Sequence, residues 1–354
     1  MLRFLSFEVT SRENDVDHPE TFTIPDALAI PGLAFRRFRG EADYSAMLRV
    51  REGCRERDQI DPHAPRAGVP TLDELARSLA NMPAGSPDML FAEVDGQLIG
   101  YNRVSSWDEE DGARVYLHLG WLLPEWRGAG VGSTMFHAAE ARCRERASGD
   151  GVPGVPVYAT NASSTEREAT ALTLANGYTV VRRLSDMKLM GPIPTQEPPL
   201  PADVVIRMVT PEDFPAIFRG YRAIWTGLWG VQPETEESYT EWLDKLVSVP
   251  SYHADLWKVA WAGDDVVGLV LCHLYDGFVD VTEVGVRPDW QRSGIARALL
   301  IRALRAVPTF GVGDVRIVTD AADGRGARSL YESVGFRALK EHVLYRKPME
   351  SVGR

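Results

Sequence analysis

The alternation of apolar and polar positions predicts the same run of elements twice along the chain. β-Hairpins are indicated at residues 89–100 and 257–268, where apolar runs flank turn residues such as Asp95-Gly96. A strand and an acidic helix start precede each hairpin, and a strand, a helix and later strands follow it. Because one strand–helix order repeats, we expect a duplicated α/β domain of about 150 residues.

A proline-rich stretch separates the two repeats. Residues 191–203 lack apolar periodicity, and their prolines favour an extended conformation, so they are predicted as an interdomain linker. The N-terminal domain is then expected over residues 33–190 and the C-terminal domain over 204–348. Residues 1–32 are polar with scattered prolines, and they are either an arm packed on the second domain or an unstructured tail.

Composition and charge exclude several classes of protein. With 44% hydrophobic and 25% charged residues, the 354-residue chain is typical of a globular protein. Its formal net charge of -11 argues against a general nucleic-acid binder, because phosphate contacts need a basic surface. We expect no secretory signal, and no apolar run approaches the ~20 residues of a membrane span. The three cysteines are far apart and indicate neither disulfides nor a zinc site, which is typical of a reducing cytoplasm.

Two glycine-rich segments each follow a strand and a proline and lead into a helix. Their shared pattern is Arg/Gln-x-x-Gly-x-Gly/Ala, beginning at Arg127 and at Gln291. Small residues let the backbone approach a ligand, and the N–H groups of a helix start, with the helix dipole, attract a phosphate or pyrophosphate. Arg127, Arg292 and Arg297 would add local positive charge. A tight turn without a ligand is the alternative for either segment, but its occurrence twice with the same flanks favours an anion site.

Other glycine-loop motifs do not fit these turns. Gly128, Gly130 and Gly132 are spaced two apart, so the dinucleotide-binding G-x-G-x-x-G pattern is not met. Neither turn contains the lysine of a P-loop. A nucleotide-binding protein that uses the same turns in another way stays an alternative.

These residues resemble the GNAT superfamily of N-acetyltransferases, whose acyl-CoA-binding turn has the same pattern. The second half also resembles the later GNAT helix motif, Asn-x-x-Ala-x-x-Leu-Tyr-Glu-x-x-Gly-Phe, over residues 324–336, with Gly324 in place of the asparagine. The resemblance covers about residues 33–190 and 204–348, which is a tandem GNAT layout. It implies a mixed, mostly antiparallel sheet that splays at the central strand and holds the pantetheine arm in the gap.

The resemblance also implies that acetyl-CoA is the cofactor and that its pyrophosphate binds the glycine turns. The contacts implied in the second half are Val284, Val286, Gln291, Arg292, Ser293, Gly294, Ile295 and Ala296. Those implied in the first half are Arg127, Gly128, Ala129, Gly130, Val131 and Gly132.

Transfer to an amine benefits from a base, because an alkylamine with a pKa of about 10.4 is almost fully protonated at pH 7. In the resembling family, a carboxylate near the splayed strand and a tyrosine near the sulfur usually act as base and acid. The second half has Asp280 and Glu283 ahead of its turn, and Tyr331 at the general-acid position. The two carboxylates point to opposite faces of a regular strand unless a bulge intervenes, and Glu283 is favoured. Solvated carboxylates and a packing tyrosine are the alternatives.

The first half lacks this pair of groups. His118 lies nearby as a further candidate base, although a lone strand histidine is more often structural. We therefore expect the C-terminal domain to catalyse, and the N-terminal domain either to bind acyl-CoA without turnover or only to support its twin. Counted from the turns, the residues in the places of Asp280, Glu283 and Tyr331 are Tyr116, Leu119 and Thr173.

A cluster of aromatic and acidic residues lies between Tyr221 and Tyr252. In the resembling family this region usually shapes the acceptor pocket, which makes Trp225, Trp229 and Tyr239 candidate acceptor-binding residues. Aromatic walls with nearby carboxylates suit a cationic amine with an apolar or ring-bearing body. Core packing is the alternative, since Tyr221, Trp225 and Trp229 recur every four residues as a buried helical stripe does.

The sequence therefore predicts an acetyl-CoA-dependent N-acetyltransferase that acts on a primary amine of a small molecule. A protein or peptide amino group is the alternative acceptor, and a non-catalytic acyl-CoA-binding regulator is the alternative from another class. We expect a cytoplasmic monomer or homodimer with no metal, membrane or nucleic-acid partner.

Overall fold

The computed structural model describes residues 21, 22, 24, 30–65, 67–109, 111–151, 154–226, 236–322 and 326–349. The chain divides into an N-terminal unit, Met1–Arg182 with His342–Arg354, and a C-terminal unit, Arg183–Glu341. Most of the predicted arm lies outside the described residues.

The N-terminal unit alternates strands and helices in the predicted order. Its hairpin closes at Asp95-Gly96, where both residues have positive φ angles, of 50° and 78°, as a tight two-residue hairpin turn requires. Its strands are β1 (Thr21–Phe22), β2 (Leu33–Arg36), β3 (Met89–Val94), β4 (Gln97–Asp108), β5 (Ala113–Leu122) and β6 (Val155–Ser163). Its helices are α1 (Tyr44–Arg55), α2 (Leu72–Ser78), α3 (Val131–Gly149) and α4 (Arg167–Ala175).

The C-terminal unit repeats this order. It opens with β7 (Thr179–Leu189), which starts at the end of the N-terminal unit. Its other strands are β8 (Val204–Arg207), β9 (Lys258–Ala262), β10 (Asp265–Tyr275), β11 (Phe278–Val286) and β12 (Asp314–Asp320). Its helices are α5 (Phe214–Trp225), α6 (Glu236–Leu246), α7 (Ile295–Ala306) and α8 (Ala327–Ser333).

Each sheet is completed by a strand that belongs to the other repeat in sequence. Residues 184–188 of β7 pair with β12 in the C-terminal unit. The last strand, β13 (Phe336–Pro348), pairs with β6 in the N-terminal unit through residues 342–348. The units therefore divide at residues 183 and 342, and not within the proline-rich segment, because these two strands leave one repeat and finish the sheet of the other.

Both sheets are mixed and mostly antiparallel. The order is β1-β2-β3-β4-β5-β6-β13 in the N-terminal unit, where only β5 and β6 run parallel among the recorded pairs. In the C-terminal unit it is β7-β12-β11-β10-β9-β8, where only β11 and β12 run parallel. The predicted fold class, two tandem α/β domains with a mixed sheet, is confirmed.

Helices cover both faces of each sheet and bury separate apolar clusters. In the C-terminal unit we call the side with Ile217, Leu269 and Leu271 the α5 face, and the side with Val281 and Leu299 the α7 face. In the N-terminal unit the α1 face is the side with Met47, Phe91 and Tyr101. The α3 face is the side with Tyr116, Ala139 and Tyr178. These apolar clusters are the hydrophobic cores of the two units.

The proline-rich segment is attached to the C-terminal unit. The Glu197 carboxylate accepts hydrogen bonds from Arg302 at 2.8 Å and from Arg305 at 2.7 Å, both on α7. Arg305 also donates to the main-chain oxygens of Pro194 and Thr195. This segment therefore runs along α7 as part of the unit.

His118 lies inside the N-terminal unit, on the α3 face. Its Nε2 is 2.7 Å from the hydroxyl oxygen of Tyr178, and the Phe136 ring meets it edge-on. Burial lowers the pKa of His118 to about 4, because an imidazolium there would lose its hydration. The histidine is therefore a neutral member of the core and not a base exposed to a substrate.

Replacing Tyr345 on β13 by Ala is expected to destabilise the N-terminal unit by about 3–5 kcal/mol, because a large core side chain is lost. Tyr345 is 2% exposed and packs with that unit's core, although it comes from the end of the chain. Urea unfolding with limited proteolysis measures the effect and locates it. Leu339→Ala on the same strand, at a side chain that is 43% exposed, is the control and should change stability little. Proteolysis that began within residues 183–341 in the Tyr345 variant would contradict the strand assignment.

The pKa of His118 also makes stability depend on pH. The unfolded chain binds a proton on His118 near pH 6.5, and the folded chain binds it only near pH 4. Neutral His118 therefore contributes fully to the free energy of unfolding above about pH 6.5, and this contribution is lost as the pH falls towards 4. The loss should reach about 2 kcal/mol at pH 5. Denaturation at pH 7 and pH 5 should show a smaller difference for His118→Gln than for wild type. His137→Gln, at an exposed histidine of α3, is the matched control and should keep the wild-type difference.

Candidate active site

The two parallel strands of each sheet part midway along their length. The ladder between β11 and β12 ends at Val281 and Ile317, while β11 continues to Val286. In the N-terminal unit the ladder between β5 and β6 ends at Leu117 and Ala159. Beyond these pairs the edge of the central strand faces a gap in which an extended chain can make main-chain hydrogen bonds. The splay implied by the GNAT resemblance is therefore present in both units.

Each central strand leads to a glycine turn at the start of a helix. Arg292 and Gly294 have φ angles of 63° and 86°, and Gly128 and Gly130 have angles of 78° and 89°. Gly294 and Gly130 are the N-cap residues of α7 and α3, and neither helix has a side-chain cap. The first N–H groups of both helices are therefore left for an anion.

The first residue of each motif fixes its turn to the preceding strand. The Gln291 side-chain amide donates to the main-chain oxygen of Val286 at 3.1 Å, and Arg127 Nε donates to that of Leu122 at 2.9 Å. The Arg127 guanidinium also donates two hydrogen bonds to Asp58, at 2.6 and 2.8 Å. Its charge is thus neutralised inside the protein, and the positive charge expected from Arg127 is not free for a phosphate.

The other predicted cofactor contacts lie along the same strand-to-helix stretches. Ser293 donates its hydroxyl to the main-chain oxygen of Trp290 at 2.5 Å, which tightens the turn. Arg297 bonds to the hydroxyl and main-chain oxygens of Ser333, whereas the Arg292 side chain is exposed. The remaining residues are Val284 and Val286 beyond the end of the ladder, Ile295 and Ala296 at the start of α7, and Ala129, Val131 and Gly132 at the start of α3.

A β-bulge brings both candidate carboxylates to one face. Glu283 pairs with Leu271, but Val281 pairs with the next residue, Cys272, so Thr282 is an extra residue in β11. Its hydroxyl donates to the main-chain oxygen of Leu271 at 3.1 Å. Asp280 pairs with His273, whose ring contacts Trp257 on the α5 face. Asp280 and Glu283 therefore both face α5, and both are buried.

The N-terminal unit has no such bulge. β4 and β5 keep one register from Gly100–Leu122 to Asp108–Arg114. The extra residue in β11 shifts the correspondence ahead of it by one, so Leu117, and not Tyr116, stands in the place of Asp280. Leu119 stays in the place of Glu283. Neither position carries a carboxylate.

Tyr331 lies on the other side of the C-terminal sheet. It packs on the α7 face in the cluster that contains Val281, and its ring meets that of Phe336 at 6.2 Å between centroids. Thr173, the residue at this place in the N-terminal unit, is buried. The candidate base and acid thus flank the splayed strand from opposite faces.

Trp225 lies against the strand that carries Glu283. A Cβ atom on Gly285 would come within 2.4 Å of Ile224 and 3.3 Å of Trp225, so only glycine fits there. Tyr239 stacks on Trp242 at 6.3 Å, and Tyr239 and Trp225 both keep partial exposure while Trp242 is buried. The predicted stripe is thus largely a packed core with an accessible edge. Trp229 and Gly324 lie outside the described residues.

Two features of the site escaped the sequence reasoning. Burial raises the pKa of Tyr221 well above its usual value of 10.0, and the Glu283 carboxylate raises it further, which places Tyr221 beside the candidate base. The sequence signal for Tyr221 is its position four residues before Trp225, which places the two side chains on the same side of a helix. The bulge at Thr282 has no sequence signature. Within the described residues, no group of metal-ligating side chains is assembled and no helix is long and apolar enough to cross a bilayer.

The comparisons with known proteins agree with this geometry. The Acetyltransferase (GNAT) family profile matches residues 57–165 and 214–336, which is more than half of the chain and includes both turns. A mycothiol acetyltransferase of Nocardiopsis dassonvillei is 27% identical over 319 residues, covering 81% of this chain and 90% of that protein. One of Actinosynnema mirum is 29% identical over 287 residues, covering 78% and 90%.

Solved structures share the fold over nearly the whole chain. A GCN5-related N-acetyltransferase from Sphaerobacter thermophilus has a TM-score of 0.70 at 23% identity and covers 89% of this chain and 95% of its own. A tandem GNAT protein from the clavulanic acid biosynthesis pathway has a TM-score of 0.67 at 14% identity, covering 91% and 100%. With both repeats matched and the tandem fold shared, this chain belongs to the GNAT acetyltransferase family and is an N-acetyltransferase.

Proposed function

We propose that the C-terminal unit transfers an acetyl group from acetyl-CoA to a primary amine of a small molecule. The observation that carries this proposal is the bulge at Thr282. It turns Asp280 and Glu283 to the α5 face of a strand whose other edge opens into the gap. A carboxylate pair beside an open strand edge and an uncapped helix start provides both a base and a place for an acyl-CoA.

The residues of the C-terminal unit fit acetyl-CoA. The N–H groups at residues 295–297 precede the first α7 hydrogen bond, which Ala298 donates to Gly294 at 3.0 Å, and they would hold the pyrophosphate. The open edge at 282–286 would pair with the amide groups of the pantetheine arm. Bound there, acetyl-CoA supplies an activated thioester.

Glu283 is the proposed general base. The parallel register places Asp280 beside Arg316, inside the paired part of the strand, whereas Glu283 lies beyond the last pair, where the gap begins. Glu283 would accept the proton that an acceptor ammonium must lose before its nitrogen becomes nucleophilic. Asp280 and Tyr221 would fix the orientation of the Glu283 carboxylate and its electrostatic surroundings.

Tyr331 is the proposed general acid. A phenol keeps its proton at neutral pH, so its O–H can be donated to a departing thiolate. Its ring packs against Phe336 within the core of the α7 face, which limits the positions that the hydroxyl can take. An acceptor that enters from the α5 face would meet Glu283 on that face, and Tyr331 would lie on the opposite face of the strand.

A small-molecule acceptor is supported by the shape and charge of that face. The exposed edges of Trp225 and Tyr239 and the carboxylates of β11 suit a cationic amine with an apolar body. The curated relatives are named mycothiol acetyltransferases, after a small molecule, and we propose a small-molecule acceptor here as well.

The N-terminal unit supports a second, non-catalytic role. It keeps the open strand edge and the uncapped glycine turn but has Leu119 and Thr173 where the C-terminal unit has its base and acid. We propose that it binds acyl-CoA without turning it over.

Tyr331→Phe and Glu283→Gln are each expected to lower kcat by about 10²–10⁴-fold, because each removes one proton transfer. Release of free thiol from acetyl-CoA with a panel of primary amines measures the rate. Thr173→Val, at the place of Tyr331 in the N-terminal unit, is the matched control and should keep wild-type kcat. Undiminished transfer in both catalytic variants would refute the assignment, and CoA binding without thiol release in the wild type would favour a regulator.

Matched glycine variants should separate the two turns. Gly294→Ala and Gly130→Ala each introduce left-handed strain of about 1–2 kcal/mol at a helix start, and the added Cβ of Gly294→Ala also comes within 3.1 Å of Pro198. We expect Gly294→Ala to raise the KM for acetyl-CoA at least tenfold and Gly130→Ala to leave KM unchanged. Calorimetric titration of CoA should find two sites in wild type and one in each variant. If Gly130→Ala instead raised KM and Gly294→Ala did not, catalysis would belong to the N-terminal unit.

A further inference from the structure

The N-terminal unit contains a cavity of about 50 Å³ on its α1 face, at the parting of its parallel strands. Leu119 and Trp121 line it from the part of β5 beyond the last pair with β6, and Asn161 lines it from the corresponding part of β6. His342, on β13, closes another side. The volume has room for roughly three or four water molecules, so a ligand of a few heavy atoms fits.

This cavity lies where the C-terminal unit carries its candidate base. Leu119 occupies the place of Glu283, so the cavity has an apolar wall at the point where catalysis would need a carboxylate. The cavity therefore has the position of an acceptor pocket without the group that would activate an amine. Asp58 and Glu166 line other walls of the cavity, so it stays polar although the place of Glu283 is apolar.

Arg51 brings a positive charge to this cavity, and the Glu166 carboxylate lies within reach of its field. Its guanidinium carbon lies 4.4 Å from the centre of the Trp121 ring, and its Nη2 donates to the main-chain oxygen of Gly68 at 2.7 Å. Among the described residues no carboxylate forms an ion pair with it. Besides its bonds to Gly68 and Tyr101, a guanidinium over an aromatic ring has further N–H groups with which it can bind a planar anion.

The two carboxylates that line the cavity have hydrogen-bond donors other than Arg51. Asp58 is held by two hydrogen bonds from Arg127. Glu166 accepts the main-chain N–H of Ser163 at 2.6 Å, and burial raises the pKa of Glu166, which disfavours its charged form. Arg51 is the lining side chain that carries a permanent positive charge.

We propose that this cavity binds a small organic carboxylate, with Arg51 as its anchor. The Asn161 amide supplies a further donor, and the apolar wall at Leu119 accommodates the carbon end of the ligand. One available guanidinium with an apolar wall suits a singly charged carboxylate better than a dianionic phosphate, which would call for a second cation. The site goes beyond the proposed acetyl transfer and does not require acetyl-CoA.

Propionate is the probe, because it joins one carboxylate to a two-carbon chain of suitable size. Calorimetric or ligand-observed NMR titration of the full-length protein should show saturable binding. Arg51→Met should weaken binding at least tenfold, since it removes the charge and keeps the length of the side chain. Arg55→Met, on the same helix at an exposed pair with Glu52, is the matched control and should bind as wild type does. Ala67→Leu, which keeps Arg51 and fills the cavity from a loop, should also abolish binding.

Each outcome decides the proposal. Binding lost in Arg51→Met and Ala67→Leu but kept in Arg55→Met, with thermal denaturation showing all three folded, supports it. Absence of binding to wild type at tens of millimolar, equal binding by Arg51→Met, or stronger binding of propylammonium or inorganic phosphate than of propionate would each overturn it. Acetyl transfer measured on the same variants should be unchanged, so a failure here is distinguishable from a failure of the C-terminal assignment.

Discussion

The central constraint on the C-terminal unit is the set of main-chain groups left along the edge of β11 where β12 departs from it. N–H and C=O groups in a protein interior need partners, and the ladder that supplies them stops at Val281. An extended molecule that carries its own amides can satisfy this edge, and the turn at Gly294 then lies at the end of its path. The shape of the gap and the chemistry of the turn therefore favour the same kind of ligand, one with amide groups and a pyrophosphate.

The bulge at Thr282 converts this binding geometry into a candidate active site. A single extra residue changes which face every earlier side chain of the strand presents, so Asp280 joins Glu283 on the α5 face. The N-terminal unit keeps the parted strands and the turn but runs its central pair in unbroken register. The two repeats thus differ in backbone register as well as in the side chain at the place of the proposed base.

Much of this architecture is readable from the sequence, because local signals govern it. The hairpin at Asp95-Gly96, the glycine turns and the tyrosine of α8 depend on residues close together in the chain. The bulge and the exchanged strands are not readable in that way. A one-residue shift leaves the apolar pattern of β11 nearly unchanged, and the pairing of residues 342–348 with β6 depends on tertiary contacts across almost two hundred positions. Arg127 shows the same limit, because its partner Asp58 is remote in sequence.

The exchanged strands also bear on why the two repeats are found in one chain. Tyr345 and Val343 belong to the core of the N-terminal unit, and Met187 belongs to that of the C-terminal unit, so neither repeat contains its complete core within its own sequence. A repeat expressed alone would leave a strand edge unpaired and apolar side chains exposed. The N-terminal repeat is therefore needed for the stability of the C-terminal one whatever it binds. Under the proposed division of roles its own site is not needed for catalysis, and there Leu119, at the place of Glu283, lines a cavity together with Arg51.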